Sequence, residues 1–196
     1  MSTSTLAQKR KKQARVLRWF RKVHRTTGIF LFAFFFIVSL TGLLLGWKKH
    51  SFGLILPASQ KGTSTRLQDW LPLDQLKQKA AQALHEQVSP RLSLDLDRID
   101  VRPEKGMAKF VYQAHYYEVQ LDGATGKVLQ ISLRRSDIIE NIHDGSIIDF
   151  YFQIPYGGFK LFYTSVMGLA LLLFTITGFW LWVGPRRMRQ LRSGEA

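Results

Sequence analysis

The stretch GIFLFAFFFIVSLTGLLLGW at residues 28–47, together with FKLFYTSVMGLALLLFTITGFWLWV at residues 159–183, decides the fold of this chain. An α-helix rises about 1.5 Å per residue, so roughly 20 apolar residues cross a hydrocarbon core about 30 Å thick. The first stretch has no charged residue, and the second has only Lys160 at its edge, where a lysine can reach the interface. Both stretches are therefore predicted to be transmembrane helices, running antiparallel.

Basic residues on the outer flanks of both stretches predict the orientation of the chain. The tails at residues 1–27 and 184–196 hold nearly all of the +14 formal net charge, whereas residues 48–158 are almost balanced. Because Lys and Arg beside transmembrane helices are retained in the cytoplasm, both termini are predicted to be cytoplasmic, with residues 48–158 across the membrane. The 1–27 tail also interleaves apolar with basic residues, which is compatible with a helix lying on the membrane surface.

The composition excludes several classes of function. A sequence pI near 10.3 would favour nucleic-acid binding in a soluble protein, but here the charge flanks two membrane spans. The lipid bilayer is therefore the predicted partner, and nucleic-acid binding is not expected. The chain has no cysteine, which excludes disulfides and thiolate chemistry. It has no H-E-x-x-H, nucleophile-elbow or phosphate-loop motif, which favours a binding module over an enzyme.

Residues 48–158 predict a small α+β domain. Apolar residues recur at helical spacing in LPLDQLKQKAAQALHEQVSP, which predicts one helix that starts at Pro72 and ends before Pro90. Four strand-like segments follow, at residues 98–102, 107–113, 116–121 and 127–133. The DGATG sequence before the last of them is typical of a hairpin connection. A pre-membrane segment, 137–158, then leads to the second span.

The same residues resemble a known family. The segment YYEVQLDGATGKVLQI is similar to a PepSY domain. Three further segments resemble PepSY-associated transmembrane proteins, namely RKVHRTTGIFLF…SLTGLLLGWKK, SDIIENIHDGSIID and GLALLLFTITGFWLW. The resemblance implies a bacterial inner-membrane protein with residues 48–158 in the periplasm. Some larger relatives, with four spans, act in siderophore-iron handling and carry haem b between histidines of their helices.

Three histidines near the ends of the spans are candidate haem ligands. They are His24, His50 and His143. A neutral imidazole at such a position can bind haem iron. The plainer interpretation makes His24 an interfacial residue, and makes the segment around His143 an amphipathic cap whose isoleucines pack against the membrane end of the domain. His85 and His115, in the domain, are predicted to face solvent.

Two weaker patterns complete the candidate sites. Glu140, His143 and Asp144 are close in sequence and form a conceivable metal site, although a single Glu-x-x-His is a weak signal. Small residues in the spans predict close helix packing, within one chain or in a homodimer. These packing residues are Gly42, Gly46, Thr177 and Gly178.

The sequence therefore supports two hypotheses of function. The first is a membrane-anchored PepSY-type periplasmic module that binds or regulates a partner membrane protein or other protein, with no catalytic activity of its own. The second is a redox component that binds haem b and takes part in siderophore-iron handling. In the second case a homodimer would rebuild a four-helix unit.

Overall fold

The computed structural model describes residues 3–193, and two long helices lie on either side of a small α+β domain along the chain. Helix α1 spans Thr3–Gly46 and helix α5 spans Gly158–Ser193. Each is long and apolar enough to cross a membrane. The chain forms two compact units. The helix-pair unit takes in the chain up to Leu40 and from His143 onward, and the sheet unit is Thr41–Ile142.

Helix α1 continues without a break from the basic tail into the first apolar stretch. The tail is rich in Lys, Arg, Leu and Ala, which favour helix, and it contains no glycine or proline before Gly28. The predicted 1–27 tail and first span are thus consecutive parts of one helix. A position of the tail on the membrane surface stays a prediction.

The sheet unit contains one helix and a four-stranded sheet, as predicted. Helix α2 spans Leu73–Gln87, directly after Pro72. The strands, each within two residues of its predicted bounds, are β1 (Leu96–Arg102), β2 (Met107–Tyr112), β3 (Tyr117–Asp122) and β4 (Val128–Leu133). They follow the order β1-β2-β3-β4 with every neighbouring pair antiparallel. Strands β1 and β4 are therefore the edges of the sheet.

The hydrophobic core lies between α2 and one face of the sheet. Side chains alternate across a strand, so Phe110 and Tyr112 of β2 share a face with Val119 and Leu121 of β3. They pack with the buried α2 residues Leu76, Ala80, Ala83 and Leu84. At the turn after β3, a Cβ at Gly123 would lie 2.1 Å from the Trp70 ring, so only glycine fits there. The other face of β2 and β3 combines the polar residues Lys109, Glu118 and Gln120 with the buried Met107 and Val111.

Two short helices form the predicted pre-membrane segment before α5. Helix α3 spans Arg135–Asp144 and helix α4 spans Ser146–Phe152. Gly145 separates them with φ 81°, a left-handed conformation that glycine adopts without strain. The Asp149 carboxylate of α4 accepts the backbone N–H groups of Phe159 and Lys160, each at 2.8 Å. Asp149 thus satisfies donors that the first turn of α5 leaves unpaired.

Candidate functional site

Helices α1 and α5 pack antiparallel in the helix-pair unit. A Cβ at Gly184 would lie 2.2 Å from Leu17 Cδ2, so the glycine allows the two helices to approach closely. Four residues earlier on α5, Trp180 stacks on Phe20 with ring centroids 5.8 Å apart. From the first contact to the second, the residue numbers increase along α1 and decrease along α5. The two apolar helices therefore run in opposite directions, as their order in the chain predicts.

His24 lies in this helix contact and is hydrogen-bonded to α5. Its Nδ1 is 2.7 Å from Oγ1 of Thr177, which is fully buried. The Thr177 hydroxyl donates its hydrogen to the Leu173 carbonyl at 2.8 Å, a common bond for a threonine inside a helix. The oxygen can then accept a hydrogen bond from His24 Nδ1, and in the neutral tautomer that donates this bond Nε2 carries the lone pair. The hydrogen bond to Thr177 thus orients the His24 ring against α5.

The predicted packing residues are found in different surroundings. A Cβ at Gly178 would lie 3.9 Å from His24 Cε1, so Gly178 and Thr177 both border the His24 ring. A Cβ at Gly46 would meet nothing within 4 Å. Packing of a second helix against Gly42 and Gly46 stays a prediction.

His143 lies far from His24 along the helix-pair unit. Its neighbour Asp144 accepts a hydrogen bond from Lys160 Nζ at 2.6 Å, near the start of α5. Thr177, which binds His24, follows Lys160 by 17 residues on the same helix, a rise of about 25 Å. A single chain therefore does not bring His24 and His143 to one iron atom.

The remaining candidates lie apart from any ligand cluster. His50 ends the short 3₁₀ turn Lys48–His50 and lines an open cleft of about 560 Å³ with Trp47 and Phe52. Glu140 lies 3.9 Å from Lys48 Nζ. Within residues 3–193, no three His, Cys, Asp or Glu side chains are grouped closely enough to hold a metal ion. The candidate set of Glu140, His143 and Asp144 therefore does not form such a group.

His85 and His115 differ from their prediction, because each is half-buried rather than open to solvent. His85 Nε2 lies 2.9 Å from the Leu92 carbonyl, and His115 Nε2 lies 2.9 Å from the Ser93 carbonyl. Both imidazoles therefore hold the loop between α2 and β1 in place.

A buried ionic network occupies the polar face of the sheet. Glu118, with no exposed surface, accepts Arg134 Nη1 at 2.5 Å and lies 3.4 Å from Lys109 Nζ. Arg134 also donates from Nε to Asp137 at 2.9 Å, and Asp137 accepts Arg98 Nη2 at 2.8 Å. The network thus connects β1, β2 and β3 to the start of α3.

Burial and ion pairing shift the pKa values of Asp137 and Lys109 in opposite directions. Burial raises the pKa of Asp137, but hydrogen bonds and charge from Arg134 and Arg98 outweigh it and bring the pKa below its usual range. For Lys109, burial lowers the pKa and is only partly opposed by Glu118. Hydrogen bonds and charge from Arg134 and Arg98 thus favour the ionised carboxylate of Asp137.

A cleft of about 470 Å³ lies beside the edge strand β4. Gln130, Ser132 and Leu133 form one side, and the loop after α1 forms the other with Phe52, Gly53, Leu54, Pro57 and Ala58. Ser132 Oγ is buried and has no hydrogen-bond partner among the described residues. Buried hydroxyls are nearly always paired, so Ser132 is an exception among the described residues.

Sequence reasoning missed the ionic network and the β4 cleft. Lys109 and Glu118 alternate with apolar residues in their strands, a pattern that is typical of a solvent-facing surface. Their burial depends on residues far along the chain, such as Arg134, which follows the last strand. The one available signal was the cluster of Arg134, Arg135 and Asp137 at a strand-to-helix junction.

The helix pair and the sheet define a class of membrane protein in which two apolar helices flank a small α+β domain. A family model described as the PepSY-associated TM region matches residues 21–195, and the chain belongs to this family. No curated protein and no solved structure matches the chain. The protein is thus a membrane-associated PepSY-type module.

Proposed function

We propose that this protein is a membrane-anchored binding module without catalytic activity of its own, in which the sheet unit recognises a polypeptide partner. The observation that carries the proposal is the cleft along β4. An edge strand presents backbone N–H and C=O groups that an extended peptide can pair with, and a neighbouring cleft can receive its side chains. Gln130 and Ser132 of β4 both line that cleft, so a peptide paired with the strand would lie beside them.

The ionic network supports a binding role because it makes the sheet a rigid platform. The Glu118 carboxylate accepts Lys109 from neighbouring β2 and Arg134 from the segment after β4. A rigid edge loses little conformational freedom when a peptide pairs with it, which favours affinity. This arrangement suits recognition or regulation of a partner protein.

The proposed location is a bacterial inner membrane, with both termini in the cytoplasm and the sheet unit in the periplasm. The support is the basic flank of each apolar stretch. Alkaline phosphatase is active only outside the cytoplasm, so a fusion within residues 59–64 should be active and a fusion after Arg192 inactive. The reverse pattern would contradict the orientation.

A site-specific crosslinking experiment tests the binding role. We expect a photoreactive amino acid at Gln130, in the cleft, to give a discrete higher-mass product in cells that express the full chain. The matched control is Gln82, exposed on α2. Products of equal yield from both positions, or none from either, would contradict recognition at β4.

A second candidate function, haem b binding, is favoured by the hydrogen bond between His24 and Thr177. Histidines that bind metals usually donate their second ring N–H to an acceptor, which fixes the ring and its tautomer. His24 has this arrangement and fits an axial ligand. Because His143 is about 25 Å away along α5, the second ligand would come from His24 of another copy in a homodimer. Bound haem would supply one-electron transfer, as in iron handling.

Absorbance of the purified full chain separates the two functions. The binding module is expected to be colourless, whereas the haem protein shows a Soret band after expression with sufficient haem. His24→Ala should then abolish the band and Thr177→Val should weaken it, while His85→Ala leaves it unchanged. A band that survives His24→Ala would contradict ligation by His24.

A further inference from the structure

Helices α1 and α5 extend past their apolar stretches and form a groove at the end where the basic residues lie. The close contact of Leu17 with Gly184 holds the helices together just beyond the second apolar stretch. Beside this contact the two helices border a groove of about 630 Å³. The groove is lined by Lys9, Lys12, Gln13, Val16, Trp180, Arg187 and Gln190.

Among the residues that the structure describes, no acidic side chain lines this groove. Residues 1–68 and 150–194 contain no Asp or Glu. The carboxylates of Asp144 and Asp149 are engaged at the opposite end of α5, by Lys160 and by the backbone of its first turn. The ammonium groups of Lys9 and Lys12 and the guanidinium of Arg187 thus bring three positive charges to one groove, where they repel one another. A bound anion would remove this repulsion.

The groove is also apolar along part of its length, and its apolar part adjoins its charged part as the acyl chains of a lipid adjoin the headgroup. Trp180 and Val16 supply an apolar floor, and Arg187 is placed 5.5 Å from the centroid of the Trp180 ring. Arg187 follows Trp180 by seven residues, a rise of about 10 Å along the helix. The headgroup region on each side of a bilayer is about 5–8 Å thick. With the backbone of Arg187 at the headgroup level, the backbone of Trp180 would therefore lie at the upper part of the acyl chains.

We propose that this groove binds one anionic phospholipid. The lipid phosphate lies among Lys9, Lys12 and Arg187, and the first part of an acyl chain packs on Val16 and Trp180. A soluble anion matches only the charged part of the groove, and an uncharged lipid matches only its apolar part. The occupant that matches both is a membrane lipid with net negative charge. The lipid would fix the relative position of the two helix ends.

Native mass spectrometry of the full chain, purified in detergent and titrated with phosphatidylglycerol, tests this site. The triple variant Lys9→Gln, Lys12→Gln, Arg187→Gln removes the three groove charges. The matched control Lys11→Gln, Lys22→Gln, Arg189→Gln removes the same charge from exposed positions outside the groove. We expect one lipid per chain, with affinity falling at least about tenfold in the groove variant and less than about twofold in the control.

Two further arms make the outcome specific to a lipid in the groove. Val16→Trp fills the apolar part without changing the charge and should also weaken binding. Inorganic phosphate at millimolar concentration should not displace the lipid, and phosphatidylcholine should not bind at the same stoichiometry. Equal losses in the groove and control variants would show a diffuse charge effect and overturn the proposal. Displacement by inorganic phosphate would indicate a soluble anion site and would overturn it as well.

Discussion

Replacing Arg134 with methionine should destabilise the sheet unit strongly, because it leaves Glu118 buried without its main partner. Glu118 has no exposed surface, and its carboxylate accepts Arg134 at 2.5 Å and Gln120 Nε2 at 2.5 Å. After the change, only Gln120 and Lys109, with Nζ at 3.4 Å, remain close to the carboxylate. Methionine keeps much of the apolar stem of arginine, so the lost interaction is mainly ionic.

The expected loss of unfolding free energy is about 3 kcal/mol. Removal of one partner from a buried ion pair costs roughly 3–5 kcal/mol, and the remaining bonds of Glu118 place this case at the lower end. A loss of about 3 kcal/mol corresponds to about a 150-fold change in an equilibrium constant. Hydrogen exchange of the full chain in nanodiscs, followed by mass spectrometry of peptides from β3, measures this change directly.

Two variants decide whether the reasoning holds. Ser132→Ala, in neighbouring β4, removes a hydroxyl that makes no hydrogen bond in the described part of the chain and should change stability by less than about 0.5 kcal/mol. Glu118→Gln combined with Arg134→Met removes the charge that needs a partner, so the double variant should recover part of the loss. A fully additive double variant, or a loss below about 1 kcal/mol for Arg134→Met, would refute the ion-pair argument.

The remaining predictions concern three separate positions. Asp149→Ala should speed exchange of the first amides of α5 about fivefold or more, since a lost cap costs roughly 1 kcal/mol; unchanged rates would exclude the cap. Gly123→Ala should lower the melting temperature of the sheet unit, since a Cβ would lie 2.1 Å from the Trp70 ring. The depressed pKa of Asp137 predicts stability that is full above about pH 4 and falls as the pH drops through its folded-state pKa. Asp137→Asn should flatten this acid dependence, and an unchanged slope would contradict it.

The helices and strands could be predicted from the sequence because their signals are local. An apolar stretch such as 28–47 predicts a span by its own length, whatever packs around it. Alternation in YEVQLD predicts a strand in the same way, and DGATG predicts the turn before β4. These predictions match the structure to within two residues at each strand end.

The candidate sites were harder to predict because their partners are distant in the chain. The sequence marked His24 and Thr177 separately, as a ligand and as a packing residue. Their hydrogen bond joins positions 153 residues apart. The burial of Glu118 likewise depends on Arg134, which comes after the last strand. No local pattern distinguishes such a buried charge from one on a solvent-facing strand.

The sequence by itself determined the two spans, the charge at their outer flanks and the α+β character of the segment between them. Hydrophobicity, charge and periodicity are properties of consecutive residues, so they can be recognised without knowing which distant residues pack together. Only the tertiary structure decided that His24 is oriented by Thr177, that Glu118 is buried against Lys109, Gln120 and Arg134, and that Lys9, Lys12 and Arg187 line one groove. These depend on distances across the fold, since hydrogen bonds and ion pairs act over only a few ångströms.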